Sequence, residues 1–134
     1  MDSKLLVMLY GRALAAAAPF SASTGNVILP LVAPGYCVSA LRGNELSFGE
    51  RIARKLTARS TDEGGRTLVD AVRPVGETEA RERHGAYVDD MKVNAPAKWL
   101  DSKDGKETQI KVWKELNNIL EGIEKGVTGS LGQK

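Results

Sequence analysis

Cysteine and histidine each occur only once in this sequence of 134 residues, and only 5% of the residues are aromatic. A single cysteine excludes a disulfide within the chain, which favours a reducing compartment and leads us to expect a cytoplasmic protein. Cys37 and His84 are far apart and have no carboxylates at metal-ligand spacing, so we expect no metal site. We interpret Cys37 as a small buried residue rather than a nucleophile, and His84 as an exposed loop residue.

The sequence also has no large excess of one charge and no long apolar run. Basic and acidic residues are interspersed and leave a net charge of +2, which argues against a nucleic-acid-binding face. No uninterrupted apolar run reaches the roughly 18 residues that a membrane-spanning helix needs. The run Leu5–Tyr10 behind Lys4 leaves one alternative open, a signal peptide ending near Ser23 in a small secreted α+β protein, although Arg12 interrupts the apolar stretch early.

A glycine-rich phosphate-binding turn is absent from the sequence. Neither G-x-x-x-G-x-G nor G-x-G-x-x-G follows a predicted strand, and no P-loop occurs. Such turns let the backbone approach a pyrophosphate at the N-terminus of a helix. The sequence therefore offers no pyrophosphate site of its own.

The most informative stretch that is present is Asn26–Ser39. Its apolar part, Val27–Ala33, is typical of a strand buried on both faces, as in a parallel sheet. Pro30 weakens that interpretation because proline donates no hydrogen bond to a neighbouring strand. Pro34-Gly35 then ends the strand, and the place just past the carboxyl end of a strand is where open α/β sheets bind ligands.

Helical patterns surround two predicted strands, which predicts an α/β fold in a single domain covering residues 1–134. Apolar spacing, capping residues and breakers set the boundaries. The expected helices are 3–18, Glu45–Arg59, Thr61–Val72 and Asp104–Gly122, and the expected strands are Val27–Ala33 and Gly85–Met91. We expect Arg73–Arg83 to be a mobile connection and Asn94–Ser102 to be a loop that contains Trp99. The tail Gly126–Lys134 is expected to be frayed.

Five short segments occur in a recognisable order: Ser3-Lys4-Leu5-Leu6, Pro34-Gly35, Thr61-Asp62-Glu63-Gly64, Gly85-Ala86-Tyr87-Val88 and Val112-Trp113-Lys114-Glu115-Leu116. That order resembles the C-terminal half of a short-chain dehydrogenase/reductase, particularly the fungal retinol-dehydrogenase-like members. The resemblance covers nearly the whole chain. It implies a partial Rossmann-like fold, the C-terminal part of a doubly wound parallel sheet with two strands and three to four helices.

The resemblance also implies site residues. Lys4 resembles the lysine of the Y-x-x-x-K motif, which lowers the pKa of the catalytic tyrosine and holds the nicotinamide ribose. Counting back four positions places that tyrosine immediately before Met1, so the chain lacks it. Pro34, Gly35 and Ser39 would line the nicotinamide pocket of NAD(P), and the segment that follows would become a substrate lid. The choice between NAD and NADP, and the substrate, stay open.

Two functional hypotheses follow from this resemblance. The first is an NAD(P)-dependent oxidoreductase acting on a carbonyl or alcohol, in a fungal secondary-metabolism setting, truncated and not active alone. The second is a non-catalytic remnant that pairs with a full-length dehydrogenase, or with itself, through the open edge of Val27–Ala33. An exposed apolar strand edge favours pairing, so we expect marginal stability for the isolated chain.

Overall fold

The fold is described from a computed structural model that covers residues 2–18, 20, 27–38 and 47–129. In chain order the elements are α1 (Asp2–Ala17), β1 (Leu31–Ala33), α2 (Phe48–Thr57), α3 (Thr61–Val72), α4 (Glu77–Arg83), β2 (Tyr87–Asp89), β3 (Lys92–Asn94), a 3₁₀-helix (Lys98–Asp101) and α5 (Lys103–Ile123). They divide into two compact units. The first unit contains Met1–Leu31, Val75–Tyr87 and Val93–Lys134, and the second contains Val32–Pro74 and Val88–Lys92.

The three strands form a mixed sheet in the order β1-β2-β3 with one parallel pair. The pairing between β1 and β2 starts just before β2 begins. There the Leu31 amide donates to the Ala86 carbonyl and the Gly85 amide donates to the Leu29 carbonyl, both at 2.9 Å. The α/β class and the parallel pairing are therefore confirmed. Both predicted strands are shorter than expected, and β1 begins only at Leu31 because the preceding Pro30 has no amide to donate.

The strand β3 was not expected from the sequence. It follows β2 through the two-residue turn Asp90-Met91, where both residues have positive φ angles of 53° and 61°. Such a turn matches the twist of a β-hairpin, but it usually carries Asn-Gly or Asp-Gly. The absence of glycine here hid the hairpin from sequence reasoning.

In the first unit, α1 packs against α5. The rings of Tyr10 and Trp113 stack with their centroids 5.1 Å apart, and the Tyr10 hydroxyl donates to Asn117 Oδ1 at 3.2 Å. Gly11 lets Leu31 approach α1 closely, because a Cβ atom at this glycine would lie 2.4 Å from Leu31 Cδ2. These contacts fix α1 by its middle turns.

The boundaries of α5 agree with the prediction to within one residue at each end. Ser102 caps its N-terminus by accepting a hydrogen bond from the Gly105 amide at 3.2 Å. Trp99, expected in a loop, lies in the 3₁₀-helix that precedes α5. Beyond α5, the Glu121 carboxylate accepts hydrogen bonds from the amides of Gly126 and Thr128, while residues 130–134 of the expected tail lie outside the described residues.

The expectation of a mobile connection over Arg73–Arg83 was wrong, because most of it forms α4. Two ion pairs with i,i+4 spacing stabilise this short helix, Glu77 with Arg81 at 2.6 Å and Glu79 with Arg83 at 2.9 Å. Arg83 is only 3% exposed. The dense charges that suggested a solvated loop are instead the pairs that hold the helix.

In the second unit, α3 has the boundaries predicted for it, and Ser60 and Glu63 form a reciprocal capping box at its N-terminus. The helix expected over Glu45–Arg59 is observed as α2, Phe48–Thr57, and positions 45 and 46 lie outside the described residues. Within the described part of the chain, no helix is long and apolar enough to cross a bilayer, and no group of three potential metal ligands occurs.

Candidate functional site

The Pro34-Gly35 turn is the best-defined candidate site, and it follows directly after β1 in the second unit. Gly35 has a φ angle of +76°, a left-handed conformation that favours glycine. The Cys37 thiol donates to the Pro34 carbonyl oxygen at 3.0 Å and closes the turn from within. The sequence therefore places a tight turn with exposed backbone at the carboxyl end of the strand.

Arg59 holds the far side of this turn. Its amide donates to the Tyr36 carbonyl at 2.8 Å, and its own carbonyl accepts from the Val38 amide at 3.0 Å, so the backbone of residue 59 bridges both sides of Cys37. The guanidinium lies beside Gly35, where a Cβ atom would stand 3.3 Å from Arg59 Nη1. The side chain thus covers the position that a larger residue at 35 would need.

Two carboxylates face the same guanidinium. Arg59 Nη1 lies 3.7 Å from Asp89 Oδ1 and 3.5 Å from Asp90 Oδ1. All three side chains are partly exposed, so solvent screens these ion pairs. These ion pairs therefore serve mainly to orient the Arg59 guanidinium, which packs on the turn.

The N-terminus of α3 forms the third wall. Gly64 lies against Cys37, and a Cβ atom at Gly64 would stand 2.3 Å from Cys37 Sγ. The Thr61 hydroxyl donates to the Val38 carbonyl at 2.6 Å. The close contact is confined to Gly64, since an added Cβ at Gly65 would meet nothing within 4 Å.

The capping box at the start of α3 also lowers the pKa of the Glu63 carboxyl. Hydrogen bonds from the backbone and the side chain of Ser60 hold the pKa of the Glu63 carboxyl below its ordinary value of 4.5, and the charges of Arg59 and Arg66 act in the same direction. The carboxylate is therefore ionised at neutral pH. In this state it accepts from the Ser60 amide at 2.8 Å and keeps the start of α3 formed.

The predicted site residues are found in different parts of the structure. Lys4 is exposed in the first turn of α1, in the first unit, whereas Pro34 and Gly35 belong to the turn of the second unit. Only Pro34 and Gly35 are brought together within one described unit. Ser39 lies outside the described residues.

His84 is not the exposed loop residue that the sequence suggested. It is half-buried, its Nδ1 accepts a hydrogen bond from the Leu29 amide at 3.3 Å, and its Nε2 donates to the Ala15 carbonyl at 3.0 Å. These two partners assign the tautomer that carries its proton on Nε2. His84 therefore connects α1 to the segment that leads into β1. No sequence motif predicts this role, because both of its hydrogen-bond partners are backbone atoms.

A second candidate surface is an apolar cleft in the first unit. Its volume is about 400 Å³, and it opens between α1 and α5 beside the start of β1. Its lining is almost wholly aliphatic, the residues being Leu6, Val7, Tyr10, Gly11, Leu14, Leu29, Leu31, Val112, Glu115, Leu116 and Ile119. A cleft of this composition is suited to covering by another apolar element rather than to holding a charged ligand.

Comparison with known proteins finds several similar proteins, each named a short-chain dehydrogenase. The chain is 38% identical over 128 residues to the short chain dehydrogenase/reductase dmxR8 of Cryptosporiopsis sp., covering 96% of this chain and 37% of that protein. It is 36% identical over 132 residues to the short-chain dehydrogenase anuD of Penicillium roqueforti, covering 93% of this chain and 33% of that protein. A third relative, the short chain dehydrogenase rstn4 of Aspergillus nomiae, is 28% identical over 120 residues.

Two other comparisons returned nothing. No protein-family model matches the chain, and no solved structure matches it either. The chain spans about a third of the length of the curated relatives it matches. Over nearly all of its length, this chain is similar to fungal short-chain dehydrogenases/reductases, consistent with the C-terminal part of such a protein.

Proposed function

We propose that this chain is the part of an NAD(P)-dependent short-chain oxidoreductase that borders the nicotinamide end of the cofactor and begins the substrate lid. The Pro34-Gly35 turn carries this proposal. It directly follows a strand of a parallel pair, and its backbone is exposed at Gly35. The Cys37 thiol, the Arg59 backbone and the Thr61 hydroxyl fix the shape of the turn and of the residues that follow it. The names of the relatives, each a short-chain dehydrogenase, support the reaction class.

The residues present fit one end of the cofactor. Gly35 has no side chain and its backbone is exposed, while Arg59 covers the position that a Cβ atom would take; the nicotinamide ring is therefore placed against the exposed backbone. The exposed Lys4 ammonium carries three donors suited to ribose hydroxyls, and Ser39 supplies a hydroxyl within the proposed lid. The pyrophosphate has no counterpart here, because the sequence contains no glycine-rich turn.

Within this proposal the chain contributes position and charge to the reaction. NAD(P) supplies or accepts the hydride, and the substrate is a small carbonyl or alcohol. Lys4 lowers the pKa of a tyrosine that lies outside this sequence and orients the ribose, while Pro34 and Gly35 hold the nicotinamide face. The chain alone is then inactive, and we place its work in the cytoplasm, in fungal secondary metabolism.

A chimera tests this proposal. The matching third of the Penicillium roqueforti relative would be replaced by this chain, and NADPH consumption would be followed with a panel of aldehydes and ketones. We expect turnover that falls at least about a hundredfold in Lys4→Ala, since removing a group that acts on the catalytic acid costs this order of rate. Lys111→Ala, at an exposed lysine of α5, is the matched control. A folded chimera whose turnover is unaffected by Lys4→Ala would refute the assignment.

The apolar cleft supports a second candidate function, a non-catalytic module that pairs with a longer dehydrogenase or with a second copy of itself. The cleft opens beside β1, and β1 is an edge strand of the described sheet. An added strand and helix would bury the aliphatic lining and pair the open edge. Co-purification with the remaining two thirds of the relative, lost in Leu6→Glu but kept in Ile123→Glu, would support this reading; equal retention by both variants would oppose it.

A further inference from the structure

The helix α2 has a charge composition unlike that of its neighbour α3. Its sequence FGERIARKLT contains three basic residues and one acidic residue, an excess of two positive charges. In α3 the arginines are balanced locally: Arg66 pairs with Asp62 at 2.8 Å, and Arg73, just past the helix, pairs with Asp70 at 2.6 Å. The helix α2 therefore carries an excess of positive charge that α3 does not.

Apolar side chains lie beside these cations. Ile52 and Leu56 are one helical turn apart, so they share one side of α2, and they are 47% and 79% exposed. Arg51 and Lys55 each precede one of these residues by a single position and are also exposed. The helix thus presents an aliphatic ridge flanked by cations to solvent.

The chemistry of this ridge selects its occupant. An uncharged protein segment or an apolar substrate would cover Ile52 and Leu56 but would leave the positive charge without a counterion; an acidic protein segment is the competing occupant, and the vesicle experiment below separates it from a membrane. The interface of an anionic membrane satisfies both features, because the acyl boundary takes the aliphatic side chains and the lipid phosphates and carboxylates take the cations. Short amphipathic helices of this composition lie in the plane of such interfaces rather than crossing them.

We propose that α2 docks on the surface of an anionic membrane, with Ile52 and Leu56 entering the headgroup boundary and Arg51 and Lys55 contacting the lipid headgroups. The inference does not depend on the proposed enzymatic role, since it uses only the exposed residues of α2. Binding of this kind is reversible and weakens as salt screens the charges.

Vesicle sedimentation tests the proposal with the whole chain. Vesicles of phosphatidylcholine containing about one third phosphatidylserine would be compared with vesicles of phosphatidylcholine alone. We expect partition only to the anionic vesicles, reduced by high salt. Arg51→Gln combined with Lys55→Gln should weaken partition about thirtyfold, since each cation near the surface contributes about fivefold. Leu56→Gln should weaken it about tenfold by removing the larger exposed apolar contact.

Matched variants separate this site from general charge attraction. Lys111→Gln combined with Lys114→Gln removes the same charge from α5, and Val72→Gln removes an apolar side chain that is 82% exposed on α3. Both controls should keep full partition, and circular dichroism should show that every variant keeps its helices. Failure to bind anionic vesicles, or equal losses in the control variants, would overturn the proposal; the first outcome would leave a protein segment or an apolar ligand as the occupant of the ridge.

Discussion

Gly64, in the first turn of α3, lies directly against the thiol of Cys37. An added Cβ atom would stand 2.3 Å from Sγ and 3.3 Å from the Cys37 Cβ. Cys37 in turn donates to Pro34, so the helix start and the turn are packed as one piece. The candidate nicotinamide turn therefore depends on a glycine that belongs to a helix thirty residues further along.

Gly64→Ala should destabilise the second unit by about 1–3 kcal/mol, because the methyl group overpacks this contact. Gly65→Ala is the matched control, since its Cβ would meet nothing within 4 Å, and it should be neutral or stabilising by up to about 1 kcal/mol. Urea unfolding gives both values. Cys37→Ala, which removes the sulfur, should recover part of the loss in the double variant; similar stabilities for both glycine variants would contradict the contact.

His84→Ala should lower the free energy of unfolding by about 1–3 kcal/mol, because the Leu29 amide and the Ala15 carbonyl lose their partner in a half-buried place. Glu82→Ala, at an exposed position of α4, which His84 follows as the C-cap, is the control and should change stability by less than about 0.5 kcal/mol. Thermal unfolding followed by circular dichroism measures both. Equal effects would mean that the imidazole does not hold α1 to the segment before β1.

Thr67→Val should stabilise the chain by about 1 kcal/mol. The side chain is fully buried in the second unit, and among the residues that the structure describes its hydroxyl has no hydrogen-bond partner. Replacing the hydroxyl by a methyl group of similar volume removes that cost. Denaturant titration measures the change, with Thr108→Val as a contrast because the Thr108 hydroxyl donates to the Asp104 carbonyl at 2.7 Å. A loss of stability in Thr67→Val would mean that its hydroxyl is satisfied.

The capping box predicts a pH dependence with a defined sign. Because the pKa of Glu63 is lower in the folded chain than its ordinary value of 4.5, the ionised carboxylate stabilises the fold above pH 4.5, and this contribution is lost as the pH falls through the folded value. Ser60→Ala should move the pKa of Glu63 back towards 4.5. Carbon-detected NMR titration of the Glu63 carboxyl follows this shift, which is partial because the backbone amide of residue 60 still donates to the carboxylate. An unchanged titration midpoint in Ser60→Ala would show that the Ser60 hydroxyl does not contribute to the lowered pKa.

How far the fold could be predicted depended on the kind of signal each element carries. The boundaries of α3 followed from an N-cap at Ser60 or Thr61 and from Pro74 beyond its end, and those of α5 from a long apolar stripe; both are local signals. The helix α4 was missed because its stabilising ion pairs look, in sequence, like the charges of a solvated loop. The hairpin was missed because Met91 occupies a turn position that glycine normally fills.

The candidate site divides in the same way. Pro34-Gly35 was predictable because the turn chemistry lies in the two residues themselves. The roles of Arg59 and His84 were not, since each acts on backbone atoms that only folding brings near. The similarity to short-chain dehydrogenases was found from the order of short segments, none of which is informative alone.

The nicotinamide assignment is tested most directly by nuclear Overhauser effects in the chimera with bound NADPH. The account predicts contacts between the nicotinamide ring protons and the Gly35 Hα protons. Bound NADPH with no nicotinamide contact to residues 34–38, or with the ring placed against another part of the chain, would contradict it.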